Sequence, residues 1–266
     1  MNHPAKTPSN QLDVCSRCAS RSHCLISKII QKDATQLPTF FYRSITLRDG
    51  QYLFRKGDLL SHIYTIKFGS VKSELILRDG VSQVTNFSLP GEPLGLDGVA
   101  NGHHQVDAIG LTESEVCSIS YNSFKKMMGK FPESLSVIEN ALGTLLNSSN
   151  IHIFNLVNLN ALEKLADFLI DYSNRLGSVG FDRDNFVLPM NRVDLANFLG
   201  IKNETLSRSV TQLEKINAIS TQNRHIKFVS RKPIFEIMDP HSLREKHALR
   251  KAENTDYPSS LEKRKS

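Results

Sequence analysis

The hydrophobic period of the chain changes near Tyr121. From Phe40 to Ile119 apolar and polar residues alternate in short runs, such as Ser44-Ile-Thr-Leu47, His62-Ile-Tyr-Thr-Ile66, Ser70 to Leu77 and Val81 to Leu89. Turn signals divide them at Asp49-Gly50, Lys56-Gly57-Asp58, Phe68-Gly69, Asp79-Gly80 and Pro90-Gly91. Short strands with turns about every eight to twelve residues predict a β-sandwich or jelly-roll barrel. Asp79-Gly80, set between two alternating runs, is the strongest hairpin signal among them.

After Pro132, a residue suited to the first turn of a helix, the period lengthens. Leu135, Ile138, Leu142, Leu145, Leu146, Ile153, Leu156 and Val157 recur at three- and four-residue steps. Between Leu135 and Leu159 the one Asp, Glu, Lys or Arg is Glu139. A long helix so poor in charge is not solvated on its outer face, and no other long helix is available to cover it. The expectation is a homodimer, with Ile138, Leu142, Leu146 and Ile153 in the seam and Ser149 and His152 interrupting it. A second helix, about Asn160 to Arg175, carries Leu162, Leu165, Ala166, Leu169 and Ile170, with Gly177 and Gly180 ending it.

The stretch from Asn191 to Val229 has the pattern of a helix-turn-helix followed by a hairpin. Asn191 can cap a helix, and Asp194 stands three residues on like the acid of a capping box. Leu195, Ala196 and Leu199 face inward, and Gly200 supplies the turn. A second helix then runs from about Asn203 to Ile216, burying Leu206, Val210, Leu213 and Ile216. That phasing puts Glu204, Ser207 and Arg208 on the opposite face, at the N-terminal end that meets base edges in such motifs. Arg208 can bond guanine O6 and N7, Glu204 can accept from cytosine N4, and Ser207 can bond a base or phosphate. The bland alternative for Glu204 and Arg208 is a surface i,i+4 ion pair. After Ile219, Ser220 to Val229 alternates like a hairpin turning near Asn223, with Arg224 and Lys227 available to phosphate. The net charge of +6 permits a polyanionic partner.

Three of the four cysteines, Cys15, Cys18 and Cys24, stand in a short polar segment, followed by an amphipathic piece at Leu25, Ile26, Ile29 and Ile30. A segment this small has no core of its own. With no leader and no run of eighteen apolar residues, the expectation is a soluble, cytoplasmic protein with no membrane partner. Its cysteines should then be reduced thiols, fit for metal or redox chemistry. Thiolates suit an iron–sulfur cluster, and spacing alone leaves zinc as an alternative. Cys117, in Glu115-Val-Cys-Ser-Ile119, alternates with Ile119 as a small core residue does.

A helix-turn-helix after a long charge-poor helix after a β-roll resembles the CRP/FNR superfamily of bacterial transcription regulators. Glu204-Thr-Leu-Ser207-Arg208, together with Cys15-x2-Cys18-x5-Cys24 and Cys117, is similar to its FNR branch, the oxygen-sensing iron–sulfur regulators. Leu53-Phe-Arg-Lys-Gly57-Asp58 and Gly102-His-His104 share the likeness, which covers nearly all of 12–230. The resemblance implies that Cys15, Cys18, Cys24 and Cys117 ligate a [4Fe–4S] cluster and that the protein is a regulator with no catalytic residues. It also implies double-stranded DNA as partner, through an inverted repeat of TTGAT-like half-sites, and RNA polymerase, through the Asp79-Gly80 hairpin. Where a cyclic-nucleotide pocket has its glutamate and its phosphate-binding arginine, this chain has Asp97 and His103-His104-Gln105, so no cyclic nucleotide is expected.

Four positions depart from the FNR pattern. His23 precedes the last ligand in place of an apolar residue. Lys202 replaces the Ser or Thr cap of the recognition helix. Asn203 occupies a variable position, from which it either contacts adenine or has no role. Ser149 replaces a dimer-opposing aspartate, so dimerisation should depend less on the cluster. The expected fold class is α+β. Residues 1–33 form a flexible segment with the cluster cysteines, 34–130 a jelly-roll sensor domain, 131–159 the dimerisation helix, 160–239 a winged helix-turn-helix and 240–266 a basic tail. Two rivals stay open: a zinc-stabilised or ligand-sensing DNA binder, and an iron–sulfur redox protein that leaves the helix-turn-helix unused.

Overall fold

A computed structural model of the chain describes residues 15, 17–32, 42–77, 79–130 and 132–238. The basic tail expected at 240–266 lies outside them, as do residues 1–14. Eight strands make the roll: β1 (Tyr42–Leu47), β2 (Tyr52–Phe54), β3 (His62–Phe68), β4 (Val71–Ile76), β5 (Ser82–Ser88), β6 (Pro93–Leu94), β7 (Asp107–Gly110) and β8 (Ser114–Ser120). They form two antiparallel four-stranded sheets, ordered β1-β8-β3-β6 and β2-β7-β4-β5. The alternation seen in the sequence fills the space between them: Leu47, Phe54, Ile66, Val71, Ala108 and Val116 form one buried cluster. Such a fold needs tight crossings. Gly69 sits at φ +86°, where a Cβ would come within 2.5 Å of the Ser114 Cβ.

The first sheet has a second apolar face, and this one is outside the roll. Ile63 and Ile119 stand on it beneath helix α1 (Leu25–Lys32) and helix α3 (Pro132–Asn158), with α2 (Tyr121–Lys130) between roll and α3. Leu25, Ile26 and Ile29 are buried there against Ile138 and Phe124. Within the expected segment 1–33, the described residues 15 and 17–32 are therefore packed: the amphipathic piece finds on the sheet the core that the segment lacks. Gly91, at φ +90°, marks how closely the segment approaches, since a Cβ there would lie 2.9 Å from that of His23.

Helix α3 has 27 residues, about 40 Å at 1.5 Å per residue. Leu135, Leu142, Leu146, Ile153 and Val157 are exposed along one stripe, and Ser149 lies on it, its hydroxyl bonded back to the Leu145 carbonyl. Ile138 departs from the expectation. It is 7% exposed and packs on α1 within its own chain, not in the stripe. His152 also turns inward, stacking on Phe198 at 4.1 Å.

Helix α4 (Ala161–Ser178) begins at a full capping box of Asn160 and Glu163. It runs through Gly177, which therefore does not end it; Gly180, at φ +85°, follows the last turn. The C-terminal unit continues with β9 (Asn185–Val187), α5 (Arg192–Phe198), α6 (Asn203–Lys215), β10 (Ile219–Gln222), β11 (His225–Phe228) and α7 (Lys232–Met238). The hairpin turns at Asn223, φ 58°. A third strand, β9, pairs with β11, and the hydrophobic pattern did not disclose it because three residues are too short to show a period. Leu206 and Leu213 are buried as expected, whereas Ile216 is 39% exposed. Ile216 is the C-cap of α6, where the chain leaves helical geometry and the helical phase no longer applies.

Candidate functional site

The three cysteines of the N-terminal segment and Cys117 of β8 line one cavity, together with Thr65 and Lys67 of β3. None of the four is in a disulfide. Alternation explains how Cys117 arrives there. Val116 points into the roll, so Cys117 shares the outer face with Glu115 and Ile119. Its resemblance to a core position was half right: it is half-buried, but in the layer under α1. The segment is held across from it by Ser20, whose hydroxyl donates to the Lys67 carbonyl at 2.9 Å, and by the buried side of α1.

Burial pushes the Cys117 thiol up to about 12, with Cys24, Cys15 and Cys18 adding to the rise. Burial also raises Cys24, against bonds from the backbone N–H groups of Ser27 and Ile26. Mutual influence of this kind places all four sulfurs in one electrostatic neighbourhood. Two cationic residues, Lys67 and Arg21, share the lining with them. Burial opposes the charge of Lys67, but Glu115, 3.0 Å away through both oxygens, and then Cys117 and Cys18 hold its pKa up. The donor set fits a sulfur-ligated group: four soft thiols and a fixed ammonium that favours their charged form. The hydroxyl of Thr65, buried without a hydrogen-bond partner, lies in the same wall. Among the described residues, no three His, Cys, Asp or Glu side chains gather tightly enough to hold a single metal ion.

At the other end of the molecule α6 presents Asn203, Glu204 and Arg208 to solvent, with Ser207 half-exposed. Glu204 and Arg208 are not ion-paired with each other; the i,i+4 pairs among the described residues are Arg175–Asp171 and Lys232–Glu236. Lys202 caps α6 without any side-chain hydrogen bond. Ser207 accepts from Arg192 Nη1 at 3.2 Å. Arg192 was missed in the sequence, yet a signal was present: a cation in the first turn of a helix opposes the helix dipole and calls for an anion. In the wing, Lys227 is exposed and Arg224 donates to the Pro189 carbonyl at 2.8 Å, tying the hairpin to α5's approach.

The face of the unit is set by the β4–β5 hairpin. Asn197 accepts from Val84 N–H at 2.6 Å and donates to the Ser82 carbonyl at 2.9 Å, while Gln83 donates to the Asn197 carbonyl at 2.6 Å. Asn191 caps α5 by accepting from Asp194 N–H, but Asp194 does not complete a capping box. Its carboxylate takes Lys72 of β4 at 2.7 Å. Arg175 of α4 clamps Glu92 through two bonds at 2.9 and 2.7 Å and donates to the Phe87 carbonyl.

The remaining pocket question concerns Asp97. Its carboxylate accepts from Gln105 N–H at 2.6 Å and meets His104 Nδ1 at 3.2 Å; His104 is itself 2% exposed and stacked on Phe54. Burial works against the charge of Asp97, but the bonds from His104 and Gln105 outweigh it and hold the group below the usual carboxylate range. The acid is thus engaged within the protein.

Residues 44–131 match the family model of the cyclic nucleotide-binding domain, and residues 163–245 match that of the Crp-like helix-turn-helix domain. The chain is 32% identical to an anaerobic regulatory protein of Aggregatibacter actinomycetemcomitans, over 80% of this chain and 82% of that one. It is 32% identical to the fumarate and nitrate reduction regulatory protein of Yersinia pestis, over 80% and 85%. The solved structure of FixK2 from Bradyrhizobium japonicum, 24% identical, shares the fold with a TM-score of 0.69, covering 74% of this chain and 97% of that one. Among the described residues no helix is long and apolar enough to cross a membrane. With this extent of identity and the two matched domains, the chain belongs to the CRP/FNR family of DNA-binding transcription regulators, in the branch of the anaerobic regulatory proteins.

Proposed function

We propose that this regulator of the anaerobic response is controlled by a [4Fe–4S] cluster held by Cys15, Cys18, Cys24 and Cys117. The observation that carries the reading is that thiols from two separate parts of the chain line one cavity. Such a cluster supplies an oxygen-labile link between the N-terminal segment and the roll. Everything else in the switch is protein. Lys67 favours the thiolate forms. Tying Cys15 to Cys24 onto β8 holds α1 on α3, because Leu25, Ile26 and Ile29 pack against Ile138. A fixed α1 sets the rotation of α3 and hence of the stripe at Leu142, Leu146, Ser149 and Ile153, against which a second copy packs. Zinc, which takes the same four ligands at about 2.3 Å from each sulfur, is the alternative that metal analysis separates.

Each protomer of the dimer then presents one α6 to one half-site of a TTGAT-like inverted repeat. Arg208 reads guanine, Glu204 reads cytosine, Ser207 is oriented by Arg192, and Asn203 reaches the edge of the site. The β4–β5 hairpin, with Asp79-Gly80 at its tip, is the surface offered to RNA polymerase. The protein works in the cytoplasm and has no catalytic role. Iron, zinc and acid-labile sulfide analysis of protein purified without oxygen tests the reading. Iron and sulfide in equal amounts, with footprinting of the operator lost on exposure to air, is the expected result. Zinc without sulfide would overturn it.

A further inference from the structure

Thr65 stands where the strand pattern asks for nothing polar. It is 1% exposed, in the middle of β3, and its Oγ1 has no hydrogen-bond partner. Other buried hydroxyls of the roll do not share this state. Ser70 donates to the Ser88 carbonyl, and Ser114 bonds the Ser70 backbone. Valine has the same shape and β-branching and carries no donor to satisfy, so at a sealed apolar position it would be the better residue. A buried hydroxyl of this kind needs a partner.

The position supplies one. Thr65 is the direct cross-strand neighbour of Cys117 in the β3–β8 ladder, so the two side chains leave the same face of the sheet. Both line the cavity shared with Cys15, Cys18 and Cys24. Among the described residues the other unpartnered buried side-chain atom is His152 Nε2, whose ring stacks on Phe198 and is not in the lining. Resting on the cluster reading above, we infer that Thr65 is a hydrogen-bond donor to the group held in this cavity, its hydroxyl directed at sulfur beside Cys117. Thr65 is a positioning and tuning residue, not a ligand. A donor to a thiolate or sulfide would offset its negative charge in this apolar wall and hold that sulfur in place, so retention of the group at Cys117 depends on this hydroxyl.

The test compares wild type, Thr65→Val and Thr65→Ser, each reconstituted without oxygen and each also prepared without iron. In the loaded proteins, Thr65→Val loses its iron to a chelator about 3- to 10-fold faster than wild type, the loss expected for one hydrogen bond, and Thr65→Ser stays close to wild type. In the iron-free proteins the order changes: Thr65→Val melts no lower than wild type, because the substitution removes an unsatisfied donor. Equal stripping rates in all three would overturn the inference while leaving the cluster reading intact. An iron-free Thr65→Val that melts as much lower as its loaded form would assign Thr65 to packing, and would overturn it too. Wild-type protein that takes up no iron and sulfide would remove the cluster reading and this inference together.

Discussion

The two ends of α3 rest on surfaces finished in opposite ways. Its C-terminal half, where His152 stacks on Phe198, lies beside a closed network that joins the roll to the C-terminal unit. There Asn197 makes three bonds to the β4–β5 hairpin, Lys72 pairs with Asp194, and Arg175 holds Glu92. Its N-terminal half meets an apolar layer around a cavity whose Cys117 and Cys24 thiols are pushed up by burial and whose Thr65 hydroxyl is unpartnered. One end is tied by bonds between the roll and the C-terminal unit, with His152 Nε2 the one unpartnered buried side-chain atom there among the described residues; the other gathers four thiols and the Thr65 hydroxyl around one cavity. The lesson is that a binding site should be sought where several unsatisfied groups share one cavity, not where a single atom is left over in a bonded joint.

The largest test of this contrast is to remove one corner of the open end. Cys117→Ala should abolish iron and sulfide uptake and with it anaerobic operator binding, while circular dichroism of the iron-free form stays native. Retained iron would mean that the cavity is not the site. Next in size, Leu146→Asp on the exposed stripe should convert dimer to monomer by sedimentation, because a carboxylate would be buried against its own symmetry mate. A variant that remains dimeric would move the interface elsewhere.

At the closed end, Arg208→Ala should reduce preference for the operator over random DNA by about 1–3 kcal/mol at fixed salt. An unchanged ratio would reassign it to phosphate contact. Asn197→Ala should lower unfolding stability by about 2 kcal/mol, since two partly buried bonds to the hairpin are lost; a stability unchanged in urea titration would deny that this joint is rigid.

The smallest effect expected is at Asp167 of α4, near the junction of the two halves. Burial first, and then Asp171, raises its pKa from 3.8 to about 6. A raised carboxylate pKa means that the folded state binds the extra proton, so stability falls as pH climbs between those two values and the loss is complete above them. Asp167→Asn should therefore stabilise the protein at pH 7.5 by about 1–2 kcal/mol, allowing for its partial exposure, and should do nothing below pH 3.5. Thermal melts at the two pH values check it.

Much of this could be read from the residues in order. Alternation with Gly-containing turns marked β1, β3, β4, β5 and β8 because strands of six or seven residues are long enough to show a period of two. The 27-residue α3 was legible because a stretch of that length with Glu133 and Glu139 as its only Asp, Glu, Lys or Arg has few other interpretations. Local chemistry set the helix starts as well: Asn160 and Asn191 cap α4 and α5 through their own side chains. The strands of two and three residues, β2, β6 and β9, left no such signal.

What the order of residues determined by itself is therefore the list of elements and the chemistry they carry: four cysteines, a recognition helix with Glu204, Ser207 and Arg208 on one face, and an apolar stripe. Those properties are local, fixed by side-chain period and capping over a few turns. Only the tertiary structure decided which face of β8 holds Cys117, that Ile138 belongs to α1 and not to the stripe, that Asp194 answers Lys72, and that Thr65 is left without a partner. Each of these depends on groups more than fifty residues apart in sequence meeting across a sheet or a helix, and pairing of that kind has no period to read.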